Sequence, residues 1–329
     1  MSRGHRATHN RAHAVKARRA IDNVRESLKA AYDELATPAD TDTEVTAGPL
    51  GGLRRWVEAL LDGDDGDERD LDRLIASHPG VGRCNTIAVI SPMAKHDTGK
   101  TTTTFLLGNV LASRFRLRVI AVDGAPRSGT LAGLVKPEVY CERSLADLVS
   151  EAAQIATIAE LRTFVSRLPT GLDLLTGGRD GQQQARALTP AIYGGLIALL
   201  SIFYEVVLLD VGTDIWDPFT RLALDTASHI VVVTSPEWVD AATAFDGLHP
   251  FPAGRTTVVL NKALPETAAE HAALEPTFRA LRLQHSVTVP FDGQLQYALG
   301  AGAYELDALE PPSRLAIKQL GLAIAEVLT

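Results

Sequence analysis

From Asn85 onward the chain alternates short runs of apolar, often β-branched residues with longer stretches whose apolar positions recur every three or four residues. Runs at 86–91, 117–122, 172–176, 205–210, 229–234, 256–261 and 286–290 read as strands. Stretches near 144–152, 156–167, 189–203, 217–226, 237–248, 267–282 and 312–328 read as helices. Val206-Val207-Leu208-Leu209 and Ile230-Val231-Val232-Val233 are apolar throughout, the pattern of strands covered on both faces. Such alternation predicts an α/β fold: a doubly wound, mostly parallel sheet with helices on both faces.

Upstream the pattern changes. Ile21, Val24, Leu28, Ala31 and Leu35 make a seam that predicts a helix from about Ala14 to Ala36. Thr37 to Gly52 has linker composition, and Leu53 to Leu61 reads as a short helix around Trp56. Residues 62–72 hold seven acids against one Arg, and Leu71 to Ser77 reads as a further helical turn. The acidic run is either a solvated face or a segment that folds back on the basic start of the chain. The chain thus divides into a helical or disordered basic arm (1–37), a linker with short helices (38–81) and one large domain (82–329).

Composition sharpens this picture. At 46% hydrophobic but 5% aromatic residues, the core is built from Ala, Val, Leu and Ile. A net charge of −8 argues against a chain that coats nucleic acid. Residues 1–20 run the other way, with six Lys or Arg, three His and no acid. That arm is a solvated extension or a contact for nonspecific DNA, an acidic partner or an anionic surface. Cys84 and Cys141 fit no metal-ligand spacing and point to a reducing compartment. No run of 18 apolar residues is present and no insertion in a membrane is expected. The start lacks the apolar segment of a secretory signal, although an Arg-rich start also imitates an organelle transit peptide. A cytoplasmic protein is expected.

The candidate chemistry begins at Thr86 to Thr104, where a strand runs into a loop, then Gly99-Lys100-Thr101, then a helix. This is the layout of a phosphate-binding loop. A helix N-terminus offers free N–H groups and partial positive charge, Lys100 adds a full charge, and the Thr101 hydroxyl suits Mg²⁺. Three strands end in further polar residues: Asp123 after Val122, Asp210 after Leu209, and Asn261-Lys262 after Leu260. In an open parallel sheet ligands sit beyond the carboxyl ends of the strands. A carboxylate there holds Mg²⁺ through water, positions an attacking water, or merely caps a turn.

Lys95-His96-Asp97-Thr98-Gly99-Lys100-Thr101 resembles the deviant Walker A motif of the ParA/MinD ATPases, Lys-Gly-Gly-x-Gly-Lys-Thr. The resemblance covers residues 82–329 and is closest in flavour to actinobacterial MinD-like proteins, including those of type VII secretion loci. It implies ATP and Mg²⁺ bound at Thr98, Gly99, Lys100, Thr101 and Thr102, with Thr101 and the Walker B residue Asp210 at the metal. It also implies a homodimer in the ATP state, in which Lys95 reaches the partner's phosphates and acts with Lys100 and Asp123 in hydrolysis. Asn261, Pro290 and Asp292 match the residues around the adenine. The family's glycine pair is His96-Asp97 here, and the second acid of its Asp-x-Asp is Ala125. A carboxylate in the loop repels the γ-phosphate, so slow hydrolysis is expected.

The leading reading is an ATP-dependent dimerising switch that positions or assembles a cargo (a chromosome or plasmid in partition, or a cell-pole or secretion-system component), with a protein cargo or adaptor as partner. A nucleotide-binding docking protein without turnover remains open because of His96-Asp97. So does a bacterial tyrosine-kinase-like enzyme, although only Tyr297 and Tyr304 lie near the C-terminus.

Overall fold

The computed structural model describes residues 68–91, 98–124, 130–177, 188–234, 250–264, 283, 285–302 and 304–328. The strands are β1 (Asn85–Ile90), β2 (Val119–Asp123), β3 (Ser166–Arg167), β4 (Asp173–Leu175), β5 (Val206–Asp210), β6 (His229–Thr234), β7 (Thr256–Ala263) and β8 (His285–Pro290). The α-helices among the described residues are α1 (Glu68–Ser77), α2 (Lys100–Ser113), α3 (Leu145–Glu151), α4 (Ile158–Leu161), α5 (Pro190–Phe203), α6 (Pro218–Thr226), α7 (Gly293–Gly300) and α8 (Pro311–Val327).

One sheet runs in the order β3-β4-β2-β5-β1-β6-β7-β8. Every pairing is parallel except β3 on β4. The expected doubly wound α/β architecture is therefore present. The apolar strands explain themselves by alternation: Ile87 and Val89 of β1 join the core under α2 and α8, while Ala88 and Ile90 join the core under α5 and α6. Because both faces are covered, β1, β2 and β5 are buried at every position.

The topology also fixes where polar groups gather. β1 lies between β5 and β6, so the chain switches direction across the sheet at the carboxyl end of β1. In register, Val89 stands beside Asp210, and Asp210 stands beside Asp123. The helices that frame this edge are set by local capping. Thr189 accepts a hydrogen bond from the Ile192 amide ahead of Pro190, and Asp217 accepts from the Phe219 and Thr220 amides ahead of Pro218.

The expected helix over 156–167 is corrected. Thr157 and Glu160 form a capping box and start α4, but it ends at Leu161. A 3₁₀ turn (Arg162–Phe164) follows, and β3 pairs antiparallel with β4. Tertiary contacts override the helical pattern: Arg162 donates to the buried Asp173 carboxylate of β4 at 3.1 Å, and Phe164 and Val165 turn into the core. Helix α7, absent from the sequence reading, starts at Asp292, whose carboxylate accepts from the Leu295 amide. The helices expected at 14–36, 53–61, 237–248 and 267–282 lie outside the described residues.

The last turn read at 71–77 is the longer helix α1, and it docks on α8. Leu71 and Ile75 pack against Leu322. Glu68 accepts from Arg314 at 2.7 and 2.9 Å and from Lys318 at 2.8 Å, and Asp72 pairs with Lys318 at 2.7 Å. These two acids of the acidic run therefore meet the C-terminal helix. Helix α8 lies against β8 and α2, with Ile317, Leu320 and Ile324 in the core. Among the described residues no helix is long and apolar enough to cross a membrane.

Candidate functional site

The site is built around the first turn of α2. Gly99 precedes the helix at φ +83°, a left-handed conformation that suits glycine. Glycine brings no side chain to cap the helix, so the first-turn amides keep no side-chain partner there. The four threonines that follow divide into two pairs. Thr103 donates its hydroxyl to the Gly99 carbonyl at 3.0 Å and Thr104 to the Lys100 carbonyl at 3.1 Å, which satisfies both within the helix. Thr101 and Thr102 are half-buried in the opening turn.

Lys100 and Thr101 converge on one carboxylate. Lys100 Nζ donates to Asp210 Oδ1 at 2.9 Å, and Thr101 Oγ1 donates to Asp210 Oδ2 at 2.6 Å. Thr101 Oγ1 is also 2.7 Å from Thr130 Oγ1; its own proton is engaged, so Thr130 donates to it. Asp210 and its register neighbour Asp123 are each 1% exposed. Two buried carboxylates side by side demand compensation, and the Lys100 ammonium supplies it to Asp210.

The carboxyl end of β7 closes over the same turn. Asn261 Nδ2 donates to the Thr98 carbonyl at 2.8 Å, which ties the loop to the strand. A bulge between Leu260 and Ala263 follows, and Lys262 sits in it at φ +59°. Left-handed backbone at a lysine costs about 1–3 kcal/mol and marks a position the surroundings over-determine. Lys262 Cε lies 3.8 Å from the point where a Gly99 β-carbon would stand. Pro290 pairs with Ala263 in register, and the Phe291 amide donates to the Ala263 carbonyl at 2.8 Å. Pro290 and Asp292 thus sit beside the Asn261–Ala263 strand end, with one Asp292 oxygen committed to capping α7.

Thr98, Gly99, Lys100, Thr101, Thr102, Asp123, Asp210, Asn261, Pro290 and Asp292 therefore gather at one edge of the sheet. Lys95, with His96 and Asp97, lies outside the described residues. Three residues of this edge went unassigned in the sequence reading: Thr130, Lys262 and Tyr193, whose ring is buried behind Gly124. Only Lys262 carried a signal, its place directly after Asn261 at a strand end.

The donor set fits a magnesium-bound phosphate. Thr101 and Asp210 offer hard oxygen donors 2.6 Å apart, the type Mg²⁺ takes. The helix start and Lys100 suit a polyanion.

The class these features define is a P-loop protein with the ParA/MinD fold. A ParA-family ATPase of Chlorobium tepidum aligns over 73% of this chain and 98% of its own, at 19% identity and a TM-score of 0.59. The cell-division ATPase MinD of Pyrococcus furiosus aligns over 74% and 98%, at 18% identity and a TM-score of 0.56. MinD of Pyrococcus horikoshii, solved with Mg-ADP, aligns at a TM-score of 0.54, over 72% and 94% at 17% identity. Among characterised sequences the chain resembles EspI, an ESX-1 secretion-associated protein of Mycobacterium tuberculosis, at 29% identity over 293 residues. That match covers 84% of this chain and 42% of EspI, so the chain spans less than half the length of this relative. No protein-family model matches the chain.

Proposed function

We propose that the chain is an ATP-dependent dimerising switch of the ParA/MinD type whose cargo is a protein assembly. The observation that carries this reading is the convergence of Lys100 and Thr101 on Asp210 at the start of α2, in register with Asp123. In the nucleotide-bound form Lys100 exchanges the Asp210 carboxylate for phosphate oxygens, an exchange between two anionic partners that keeps the ammonium paired throughout. Thr101 and Asp210 would hold Mg²⁺, which would supply charge neutralisation at the phosphates. Asp123 orients water, Asn261 holds the loop against the strand end at the base, and Pro290 and Asp292 flank that end. Lys95 acts across the dimer. Hydrolysis is slow because His96 and Asp97 replace a glycine pair in the loop.

Two likenesses support the wider role. The ParA and MinD folds belong to partition and cell-division ATPases, and EspI is a secretion-associated protein, which directs the cargo reading toward a secretion assembly. The tyrosine-kinase reading is weakened because Tyr304 stacks edge-on against Phe105 with its hydroxyl enclosed, leaving Tyr297 as the exposed C-terminal tyrosine among the described residues.

Titration calorimetry with Mg-ATP, together with mass in solution under ATP, ADP and no nucleotide, tests the proposal. Stoichiometric binding, a dimer in ATP alone and no binding by Lys100→Ala are expected. Equal affinity in wild type and Lys100→Ala removes the site assignment, and a mass unaffected by ATP removes the switch.

A further inference from the structure

Tyr193 belongs to no motif, yet it is the largest wholly buried side chain near the site. It is the fourth residue of α5, its amide bonded to the Thr189 carbonyl, and its ring packs edge-on against Phe219 at 5.9 Å. Phenylalanine would fill that space equally well. Tyrosine brings in addition a hydroxyl, and that hydroxyl is buried without a hydrogen-bond partner among the described residues. Buried donors are ordinarily paired, and an orphan in a native core calls for an explanation, of which use in a second state is one.

The surroundings say which state. A β-carbon on Gly124 would stand 2.9 Å from the Tyr193 hydroxyl and 2.9 Å from the Asp210 carbonyl oxygen. Glycine at 124 is what lets the phenol approach the backbone immediately after Asp123. In this form the Gly124 amide is bonded back to Asp210 at 2.9 Å, holding the corner down on β5. Burial first, then the charges of Asp123 and Asp210, push the phenol's pKa up, so it stays a neutral donor facing two carboxylates.

We propose that Tyr193 is a positioning residue for Asp123: in the Mg-nucleotide-bound form its hydroxyl donates to the Asp123 carboxylate and fixes the oxygen that orients water. The inference rests on the nucleotide reading above. It names a donor that acts through Asp123 and does not itself touch nucleotide. Once Lys100 has turned to phosphate and Asp210 to the magnesium, the buried Asp123 carboxylate beside it gains from a further donor that fixes its orientation.

The variant is Tyr193→Phe, which removes one oxygen and keeps the ring. Its melting temperature without ligand, its affinity for Mg-ADP, and the gain in that affinity on adding aluminium fluoride (a mimic of the transferring phosphoryl) are measured beside wild type. The expected result is equal or higher stability, Mg-ADP affinity within about 2-fold, and an aluminium-fluoride gain cut by about 10-fold or more. Asp123→Asn should lose the same gain, and the double variant should lose no more, because one interaction cannot be removed twice. A wild type that binds no Mg-ADP overturns the nucleotide reading and this inference together. Wild type that binds Mg-ADP without any aluminium-fluoride gain, or a Tyr193→Phe variant matching wild type in that gain, overturns this inference alone. A variant that weakens Mg-ADP and the fluoride complex equally shows a packing role and also overturns it.

Discussion

The amide nitrogen of Asn261 stands 2.1 Å from the point a β-carbon on Gly99 would occupy. One residue precedes the helix at the end of the phosphate loop, the other is the first polar residue after the apolar run of β7, and the contact between them leaves room for hydrogen alone. Gly99→Ala therefore meets two obstacles, the left-handed φ and the Asn261 side chain. Together they should cost about 2–4 kcal/mol, a fall of roughly 4–16 °C in melting temperature for a domain of this size. Pairing it with Asn261→Ala should restore part of the loss, since the clash goes and the strained φ stays. A double variant no more stable than Gly99→Ala would show that the side chain yields freely.

Asp210 joins two anchors, so its removal differs from theirs. Lys100→Ala leaves Asp210 the Thr101 hydroxyl, and the fold should survive with a loss of about 1–3 kcal/mol. Asp210→Asn keeps the shape and an oxygen that accepts from Thr101, but lacks the charge that holds Lys100. Denaturant unfolding of both variants, read beside Mg-ATP binding, should give a folded and non-binding Lys100→Ala protein and an Asp210→Asn protein with weakened magnesium dependence. Aggregated Lys100→Ala protein would mean that the ion pair sustains the fold itself.

How much of this was legible follows from where the information lies. The strand ends Asp123, Asp210 and Asn261 were readable because continuous apolar runs mark buried strands, and the first polar residue after each must lie at the sheet edge. Strand β3 was not readable. Ser166-Arg167 is two residues long, and it pairs with β4 where the buried Asp173 accepts from Arg162 and the Tyr204 hydroxyl, contacts no local pattern announces. Asp292 matches the family's Pro-x-Asp segment beside the base, and that match left its capping signal ahead of α7 unused. Thr130 reaches Thr101 from 29 positions away, and Tyr193 reaches Gly124 from a different element, by chain folding, a relation no local spacing encodes.

Helix α1 packs on α8, and it is expected to belong to the same folding unit. A chain beginning at residue 82 would strip Leu322 of Leu71 and Ile75 and leave Lys318, 4% exposed in its side chain, without its two carboxylates. Such a chain should be less stable than one beginning at residue 67 by about 2–4 kcal/mol, from the apolar area uncovered and the ammonium left unpaired. Equal unfolding midpoints for the two chains would put the boundary after α1.

Glu68 should make that docking sensitive to acid. Hydrogen bonds from Arg314 and then Lys318 hold its pKa at about 2, against an ordinary 4.5. The folded pKa is depressed, so the stabilisation is fully present above about pH 4.5 and disappears as pH falls toward 2. With the carboxylate one-third exposed and screened, about 1–2 kcal/mol is at stake. Glu68→Gln should be less stable than wild type at pH 7 and converge with it near pH 2. A constant difference between pH 7 and pH 2 would locate the effect in packing.

His229 should act over a higher window and through the opposite chemistry. It lies 2% exposed at the start of β6, its Nε2 2.9 Å from the Thr257 hydroxyl. Burial, then His285, then Arg255 hold its pKa at about 3, where the ordinary value is 6.5. The unfolded chain takes up the proton first. Stability is therefore unaffected above about pH 6.5 and declines as pH falls from there to about 3, by as much as about 4 kcal/mol from this one group. His229→Gln keeps a group able to bond Thr257 and has no proton to gain. It should be somewhat less stable than wild type at pH 7, through imperfect packing, and should overtake it between pH 5 and pH 4 as wild type weakens. Unfolding curves at half-unit steps decide the matter. If the two proteins keep a fixed difference from pH 7 to pH 4, the imidazole is charging elsewhere or is relieved by local opening, and the acid sensitivity of this sheet must be sought in its carboxylates instead.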